Sequence, residues 1–123
     1  MSKLITPILI VGQNPAYRTG SRLTPSLSRL NNWMTELGVK RWSFINASQA
    51  KVAASSNVDW ETLELARPYQ RVLALGAFAS SALGKLDIPH FQLPHPSPLN
   101  RKLNDPIYEK TVLRDCYNYL HED

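Results

Sequence analysis

The sequence predicts an α/β fold, a three-layer αβα arrangement in which helices cover both faces of a short, mainly parallel four-stranded sheet. Three observations support this prediction. Short apolar runs rich in β-branched residues alternate with helical patterns along the chain. The runs are too short for typical helices, and they end at glycine, at a polar residue or at proline. The chain of 123 residues has the usual size of one domain, and no linker or repeat divides it, so we expect a single domain over residues 1–123.

The predicted elements follow in the order strand, helix, strand, helix, strand, helix, strand, loop and helix. The strands are predicted at 4–11, 41–46, 71–75 and 88–93, and the helices at 24–37, 59–66, 77–83 and from 105 onward. Thr24 before Pro25 is typical of a helix start, whereas Gly38 and Gly84 are predicted to end the first and third helices. The inward face of the last helix is predicted to consist of Leu113, Cys116, Tyr117 and Leu120.

The composition is compatible with a polyanionic partner. Its net charge is +4 and its pI is near 9.4, and neutralising phosphates with basic side chains releases condensed counterions.

No apolar run approaches the roughly 18–20 residues of a membrane span, and the amino terminus lacks the layout of a cleavable signal. The lone Cys116 can form no internal disulfide, which agrees with a reducing compartment. We therefore expect a cytoplasmic protein.

Polar residues follow three of the four predicted strands. Residues 12–15 (Gly-Gln-Asn-Pro) come after the first strand, Asn46 ends the second, and the loop 94–101 follows the fourth. Three prolines within that loop stiffen it, so it can aim the side chain of His95 with little entropy left to lose. Because the carboxyl ends of parallel strands lie along one edge of a sheet, we expect the three segments to line one cleft.

Each of these segments also has a purely structural interpretation. Residues 12–18 can be no more than a strand-to-helix turn, Asn46 a turn residue at a strand end, and His95 a structural loop histidine. Other chemistries are disfavoured by the residues present. The 12–18 segment lacks the glycines of a dinucleotide fingerprint or a P-loop, and the three histidines of the chain lack the clustered Cys or Asp partners of a metal site. Cys116 on an apolar helix face indicates packing rather than nucleophilic work.

Taken together, the segments resemble the motifs of the uracil-DNA glycosylase superfamily. Residues 12–15 resemble its first motif, a Gly-Gln-Asp-Pro-Tyr or Gly-Met-Asn-Pro-Gly type sequence, and residues 95–100 (His-Pro-Ser-Pro-Leu-Asn) resemble its His-Pro-Ser-Pro loop. Between them, residues 44–46 (Phe-Ile-Asn) fit a strand-ending asparagine that recognises the base edge, and residues 72–76 fit the third core strand. The motifs are most similar to those of the single-strand-selective and mismatch-specific branches.

The resemblance implies that the protein flips a nucleotide out of DNA and hydrolyses its glycosidic bond. It implies two catalytic residues: Asn14 positions the attacking water, and His95 donates a hydrogen bond to the base O2 as negative charge develops there. It implies that Asn46 reads the base edge with its amide and that Leu99 fills the space left by the flipped base. The implied base-recognition residues are Gln13, Ala16, Tyr17, Leu23 and Asn46. The implied DNA-binding residues are Ser97, Leu99, Asn100, Arg101 and Lys102.

Three departures from the family pattern bear on activity. The most active branch has aspartate at position 14, whereas asparagine cannot serve as a base, so we expect slower chemistry. Ala16 stands where that branch has a tyrosine that blocks the thymine methyl group, so 5-substituted uracils become candidate substrates. The segment that commonly supplies a base-stacking aromatic ring is here 20–23 (Gly-Ser-Arg-Leu), so we expect either Tyr17 or Leu23 to contact the base instead.

The sequence thus predicts a monofunctional DNA glycosylase for uracil or a 5-substituted uracil. No lysine in a motif is placed as a Schiff-base nucleophile, so no strand cleavage is expected. We expect no metal and no organic cofactor, DNA as the partner, and no membrane; a monomer is favoured. Two alternatives remain open: a catalytically weak or inactive member that binds DNA or a flipped base as a regulatory or accessory protein, and an enzyme that acts on a free nucleoside or a modified base.

Overall fold

The structure is a computed structural model that describes residues 7–15 and 24–122. The strands within those ranges are β1 (Ile8–Gly12), β2 (Trp42–Asn46), β3 (Arg71–Leu75) and β4 (Phe91–Leu93). The helices are α1 (Pro25–Glu36), α2 (Trp60–Leu63), α3 (Ala77–Lys85) and α4 (Pro106–His121). Short 3-10 turns lie at Ser55–Asn57, Glu64–Ala66 and Arg101–Asn104.

The described strands form one sheet in the order β2-β1-β3-β4, and every neighbouring pair is parallel. Alternate side chains of β1 point to opposite faces of this sheet. Ile8 and Ile10 pack in a cluster with α1 and α4, whereas Leu9 and Val11 pack in a second cluster with α2 and α3. The predicted three-layer α/β fold is confirmed, and the sheet is wholly rather than mainly parallel.

The strand order reverses direction between β1 and β3. From β1 the chain goes through α1 to β2 on one side, and it then returns to place β3 and β4 on the other side of β1. A crevice opens at the carboxyl ends of the strands where such a reversal occurs, and ligands of α/β proteins collect there. The polar segments of interest follow β1, β2 and β4, so the topology brings them to this edge.

The predicted ends of α1 are confirmed. Thr24 caps the helix, since its hydroxyl accepts a hydrogen bond from the Leu27 backbone N–H (3.1 Å). Gly38 follows the helix with φ of 75°, a left-handed conformation that favours glycine. No helix in the described ranges has the length and apolarity needed to cross a membrane.

The predicted end of α3 at Gly84 is wrong, because the helix continues through Lys85. Asp87 rather than glycine takes the left-handed position after this helix, with φ of 56°. The Ile88 backbone N–H donates to the Leu83 carbonyl (3.1 Å) and the Asp87 N–H to the Gly84 carbonyl (3.0 Å), which is the hydrogen-bond pattern of a Schellman cap. Aspartate tolerates this conformation better than most residues, so it can replace glycine there.

Two further predictions need correction. The strand expected from residue 88 begins at Phe91, because Ile88 belongs to the helix cap and Pro89 has no N–H to donate to a ladder. Tyr117, expected to face inward, is 37% exposed and packs its ring 4.2 Å from that of His121. The first strand was expected from residue 4, and residues 4–6 lie outside the described part of the chain.

Candidate active site

A cleft of about 790 Å³ lies at the carboxyl edge of the sheet. The turn after β1, the end of β2 and the loop after β4 form its walls, and the first turn of α1 closes one side. Among the described lining residues, His95 alone has a titratable side chain. The polar side chains that line the cleft include Gln13, Asn14, Ser26, Asn46, His95 and Ser97. The structure thus brings together the three segments that the sequence placed at one edge.

Gly12 allows two side chains of β2 to approach the end of β1. A Cβ atom added at Gly12 would lie 2.5 Å from Cζ of Phe44 and 2.9 Å from Oδ1 of Asn46, both closer than real Cβ contacts. Phe44 and Asn46 are two residues apart in a strand, so they project from the same face of the sheet. The Asn46 side-chain amide has no hydrogen-bond partner among the described residues, so both its donor and its acceptor are available to a ligand.

The Asn14 side chain is anchored outside the cleft by its nitrogen. Nδ2 donates to the backbone carbonyls of Ala50 (3.1 Å) and Lys51 (2.7 Å). Because a carbonyl oxygen can only accept, these two contacts distinguish the amide nitrogen from the oxygen. The oxygen remains the atom that Asn14 can offer to a molecule in the cleft.

His95 is held close to β3 by a second glycine. Gly76 has φ of 89°, and a Cβ atom added to it would lie 3.3 Å from Cβ of His95. The Ser97 backbone N–H donates to Nδ1 of His95 (3.2 Å), so Nδ1 carries no proton and the neutral ring has its proton on Nε2. Partial burial lowers the pKa of His95 below its ordinary value, which favours this neutral form.

The rest of the loop 94–101, which we call the proline loop, is held together by hydrogen bonds between its own polar groups. The Ser97 hydroxyl accepts from the Leu99 backbone N–H (3.1 Å), and Asn100 donates from Nδ2 to the His95 carbonyl (3.2 Å). Asn100 also caps the following 3-10 turn, which carries the exposed side chains of Arg101 and Lys102. Leu99, held between these contacts, is 88% exposed. The hydrogen-bonded loop therefore projects Leu99 into solvent beside the cationic side chains of Arg101 and Lys102.

The structure brings together most of the expected site residues. Gln13, Asn14, Asn46, His95, Ser97 and Leu99 line the cleft, whereas Asn100, Arg101 and Lys102 do not line it and follow Leu99 in the chain as the cap and first residues of the 3-10 turn. Three expected base-recognition residues, Ala16, Tyr17 and Leu23, lie outside the described part of the chain. Within the described ranges, no group of three His, Cys, Asp or Glu side chains is arranged to hold a metal ion.

Phe44 is a cleft residue that was not predicted from the sequence. It lines the cleft and is 41% exposed, although it belongs to a strand of the sheet. A signal was present in the sequence: Phe44 precedes Asn46 by two residues, and that spacing puts both side chains on one face of a strand. The first turn of α1, with Ser26 and Leu27 on the cleft wall, was also not predicted as part of the site.

The fold and the cleft define an α/β protein whose candidate site consists of amides and one imidazole at the carboxyl edge of a parallel sheet. The family model of the uracil DNA glycosylase superfamily matches residues 3–121, nearly the whole chain. The protein therefore belongs to the uracil-DNA glycosylase superfamily, whose members bind DNA and are mostly DNA glycosylases. Searches of curated proteins and of solved structures return no significant match.

Proposed function

We propose that this protein is a monofunctional DNA glycosylase that hydrolyses the N-glycosidic bond of uracil, or of a 5-substituted uracil, flipped out of DNA. The observation that carries the proposal is the convergence of Asn14, Asn46 and His95, from three separate segments, on one cleft. An extruded base can enter a cleft that a duplex cannot, which fits enzymes that act on flipped nucleotides. The motifs favour the single-strand-selective and mismatch-specific branches of the superfamily.

His95 is proposed to stabilise the departing base. When the glycosidic bond breaks, its electron pair leaves with the base, and negative charge develops on O2. A neutral imidazole with its proton on Nε2 is a donor for that charge, and the Ser97 N–H on Nδ1 supports this tautomer. Water held by the Asn14 oxygen then adds to the sugar C1′, and its proton is transferred to the base anion. The products are free uracil and an abasic site.

Asn46 and Phe44 are proposed to bind the base itself. An amide offers one donor and one acceptor, which match O4 and N3–H of uracil, and an unmatched polar edge would leave a buried group unpaired. Phe44 supplies an apolar ring beside this amide, and stacking of a base on an aromatic ring contributes roughly 1–3 kcal/mol. The ring from β2 can thus stack on the base, a contact for which Tyr17 or Leu23 stays the prediction from the sequence.

The proline loop is proposed to hold the DNA. Leu99 is the most exposed of the large apolar side chains that line the cleft, and an apolar wedge of this kind can fill the space left by an extruded base. Arg101 and Lys102 are exposed next to it, where they can contact backbone phosphates. The Ser97 hydroxyl and the Asn100 amide, although engaged within the loop, retain hydrogens that can be donated to a phosphate oxygen.

The proposal is tested by incubating the protein with single-stranded and double-stranded oligonucleotides that carry uracil or 5-hydroxymethyluracil. Alkali then converts abasic sites to strand breaks. We expect breaks with the wild-type protein and a loss of at least about 100-fold with Asn14→Ala and with His95→Ala. His90→Ala is the matched control, because His90 is also half-buried but bonds to Ser80 and Ile88 away from the cleft.

A second candidate function is favoured by the anchored Asn14. Its amide nitrogen is already engaged, and an amide oxygen is too weak a base to deprotonate water, so the protein can be a binder of DNA or of a flipped base with little or no catalysis. Salt-sensitive DNA binding with no abasic product from any substrate would establish this alternative and contradict the glycosylase.

A further inference from the structure

The orientation of the Asn14 amide is imposed by a neighbouring loop. Both hydrogens of Nδ2 are used, one by the Ala50 carbonyl at 3.1 Å and one by the Lys51 carbonyl at 2.7 Å. The Asn14 oxygen accepts no hydrogen bond from residues 7–15 or 24–122. A side chain tied down at its nitrogen can therefore present only its acceptor to the cleft.

The loop that supplies these carbonyls comprises residues 47–58, which we call the 47–58 loop. It begins by extending the pairing of β2 with β1, since the Ala47 N–H donates to the Gly12 carbonyl (2.8 Å) and the Ser48 N–H to the Gln13 carbonyl (2.9 Å). It closes with a bridge between Ser48 and Val58. The loop and the turn that carries Asn14 are thus parts of one hydrogen-bonded unit.

Asn57 holds the interior of the 47–58 loop. Its Oδ1 accepts from the hydroxyl of Ser48 (2.7 Å) and from the backbone N–H of Ala54 (2.9 Å), and its Nδ2 donates to the Val52 carbonyl (2.9 Å). Ser48 is fully buried, and its hydroxyl oxygen accepts in turn from the Ala50 N–H (3.2 Å). Ser48 therefore fixes the Ala50 N–H, and Asn57 fixes the Val52 carbonyl. These two groups lie on either side of the Ala50 and Lys51 carbonyls that bind Asn14.

We propose that Asn57, acting through Ser48, is a positioning residue that holds the Ala50 and Lys51 carbonyls against Asn14. These two carbonyls, which we call the frame, require asparagine rather than aspartate at position 14. The inference rests on the proposed function, because it makes the Asn14 oxygen the acceptor that orients the hydrolytic water. An aspartate has no hydrogens to donate. Its carboxylate would lie beside two carbonyl oxygens that carry partial negative charge, which is unfavourable in a partly buried position.

The first experiment asks whether the frame selects asparagine. Asn14→Asp should release base no faster than Asn14→Ala, because the carboxylate has to turn away from the two carbonyls. If the position were simply a water site open to either residue, Asn14→Asp would instead exceed the wild-type rate, since a carboxylate is the better base. That result would overturn the inference while leaving the glycosylase assignment intact.

The second experiment is a double-mutant cycle between Asn57 and Asn14. Asn57→Ala should lower kcat by about 10-fold or more and leave KM within about threefold, because Asn14 acts on the water and not on DNA binding. In the Asn14→Ala background the same substitution should have no further effect on kcat. Asn57→Asp keeps the two accepted hydrogen bonds but puts a carboxylate oxygen against the Val52 carbonyl, so it should recover only part of the activity lost in Asn57→Ala. The exposed Asn118→Ala is the control.

The same cycle is read out in the free energy of unfolding by urea, which needs no catalysis. The two substitutions should be non-additive, because both break one hydrogen-bonded unit. Additive effects on kcat, or on the free energy of unfolding, would overturn the inference. If the wild-type protein releases no base from any substrate, the proposed function fails, and the unfolding cycle still decides whether Asn57 holds Asn14.

Discussion

Gly12→Ala is expected to disable the cleft while leaving the fold largely intact. The added Cβ would lie 2.5 Å from Cζ of Phe44 and 2.9 Å from Oδ1 of Asn46. Both atoms are the ends of side chains that line the open cleft, so they can move aside without disturbing the buried core. Overpacking costs about 1–3 kcal/mol in a closed core. We expect the lower end of that range here, about 1 kcal/mol.

The effect on activity should be much larger. A misplacement of about 1 Å in a reacting group can cost on the order of 100-fold in rate, and the methyl group displaces both the amide that we propose reads the base and the ring beside it. We therefore expect kcat/KM for base release to fall by about 100-fold. A shift of about 1 kcal/mol should lower Tm by only about 3–5 °C in a chain of this size.

Gly84→Ala is the matched control for this substitution. Gly84 lies inside α3, and a Cβ added to it would meet no atom of residues 7–15 or 24–122 within 4 Å. Alanine is preferred over glycine in a helix by about 0.5–1 kcal/mol, so Tm should rise slightly with unchanged activity. The reasoning would be refuted if Gly12→Ala retained kcat/KM within threefold of the wild-type value, or if it unfolded the protein outright.

Three further predictions concern charge and protonation. Burial holds the pKa of His95 in the folded protein below the value of about 6.5 for an unfolded histidine. Between these two pKa values the unfolded state binds more protons than the folded state. The free energy of unfolding should therefore fall as the pH drops from about 6.5 toward the pKa of folded His95. Urea titrations of the wild-type protein and His95→Gln test this, and identical pH profiles would contradict it. Burial raises the pKa of the Cys116 thiol to about 12, so a disulfide reagent at about pH 8 should label it only after denaturation; rapid labelling of the folded protein would exclude that. Arg101→Gln should reduce the slope of log affinity for single-stranded DNA against log salt concentration by about 0.7. Arg41→Gln, just before the amino end of β2 and away from the cleft, should leave this slope unchanged. Equal slopes for both variants would refute the assignment of Arg101 to DNA binding.

The fold was predictable because its signals are local. The apolar β-branched run of β1 is buried on both faces, and Thr24 with Pro25 starts α1 as its capping chemistry requires. The errors arose where tertiary context overrides a local rule. Gly84 looked like a helix end because glycine favours that position, but Asp87 takes it, and Ile88 is buried against the second cluster as the cap forms.

The site was predictable in outline, because side chains at the carboxyl ends of parallel strands must meet. The placement of Asn14, Asn46 and His95 at one cleft could be predicted from their positions relative to the strand ends alone. The orientation of Asn14 could not be predicted, because it depends on two carbonyls 36 and 37 residues away in the chain. Likewise, the exposure of Phe44 depends on the space left by Gly12 and by the first turn of α1.

Because β4 is short, the proline loop that follows it and carries His95 is the wall of the cleft that should detach most easily. β4 spans only Phe91–Leu93, and among the described strands it lies at the edge of the sheet and pairs with β3 alone. Burial of Leu93, which is 0% exposed, and its carbonyl contact with the Gly76 N–H (2.7 Å) hold this end of the strand. Local opening of an edge element costs less free energy than global unfolding. The proposed base release is therefore expected to cease by detachment of β4, with Leu93, at temperatures where the rest of the two apolar clusters is still folded.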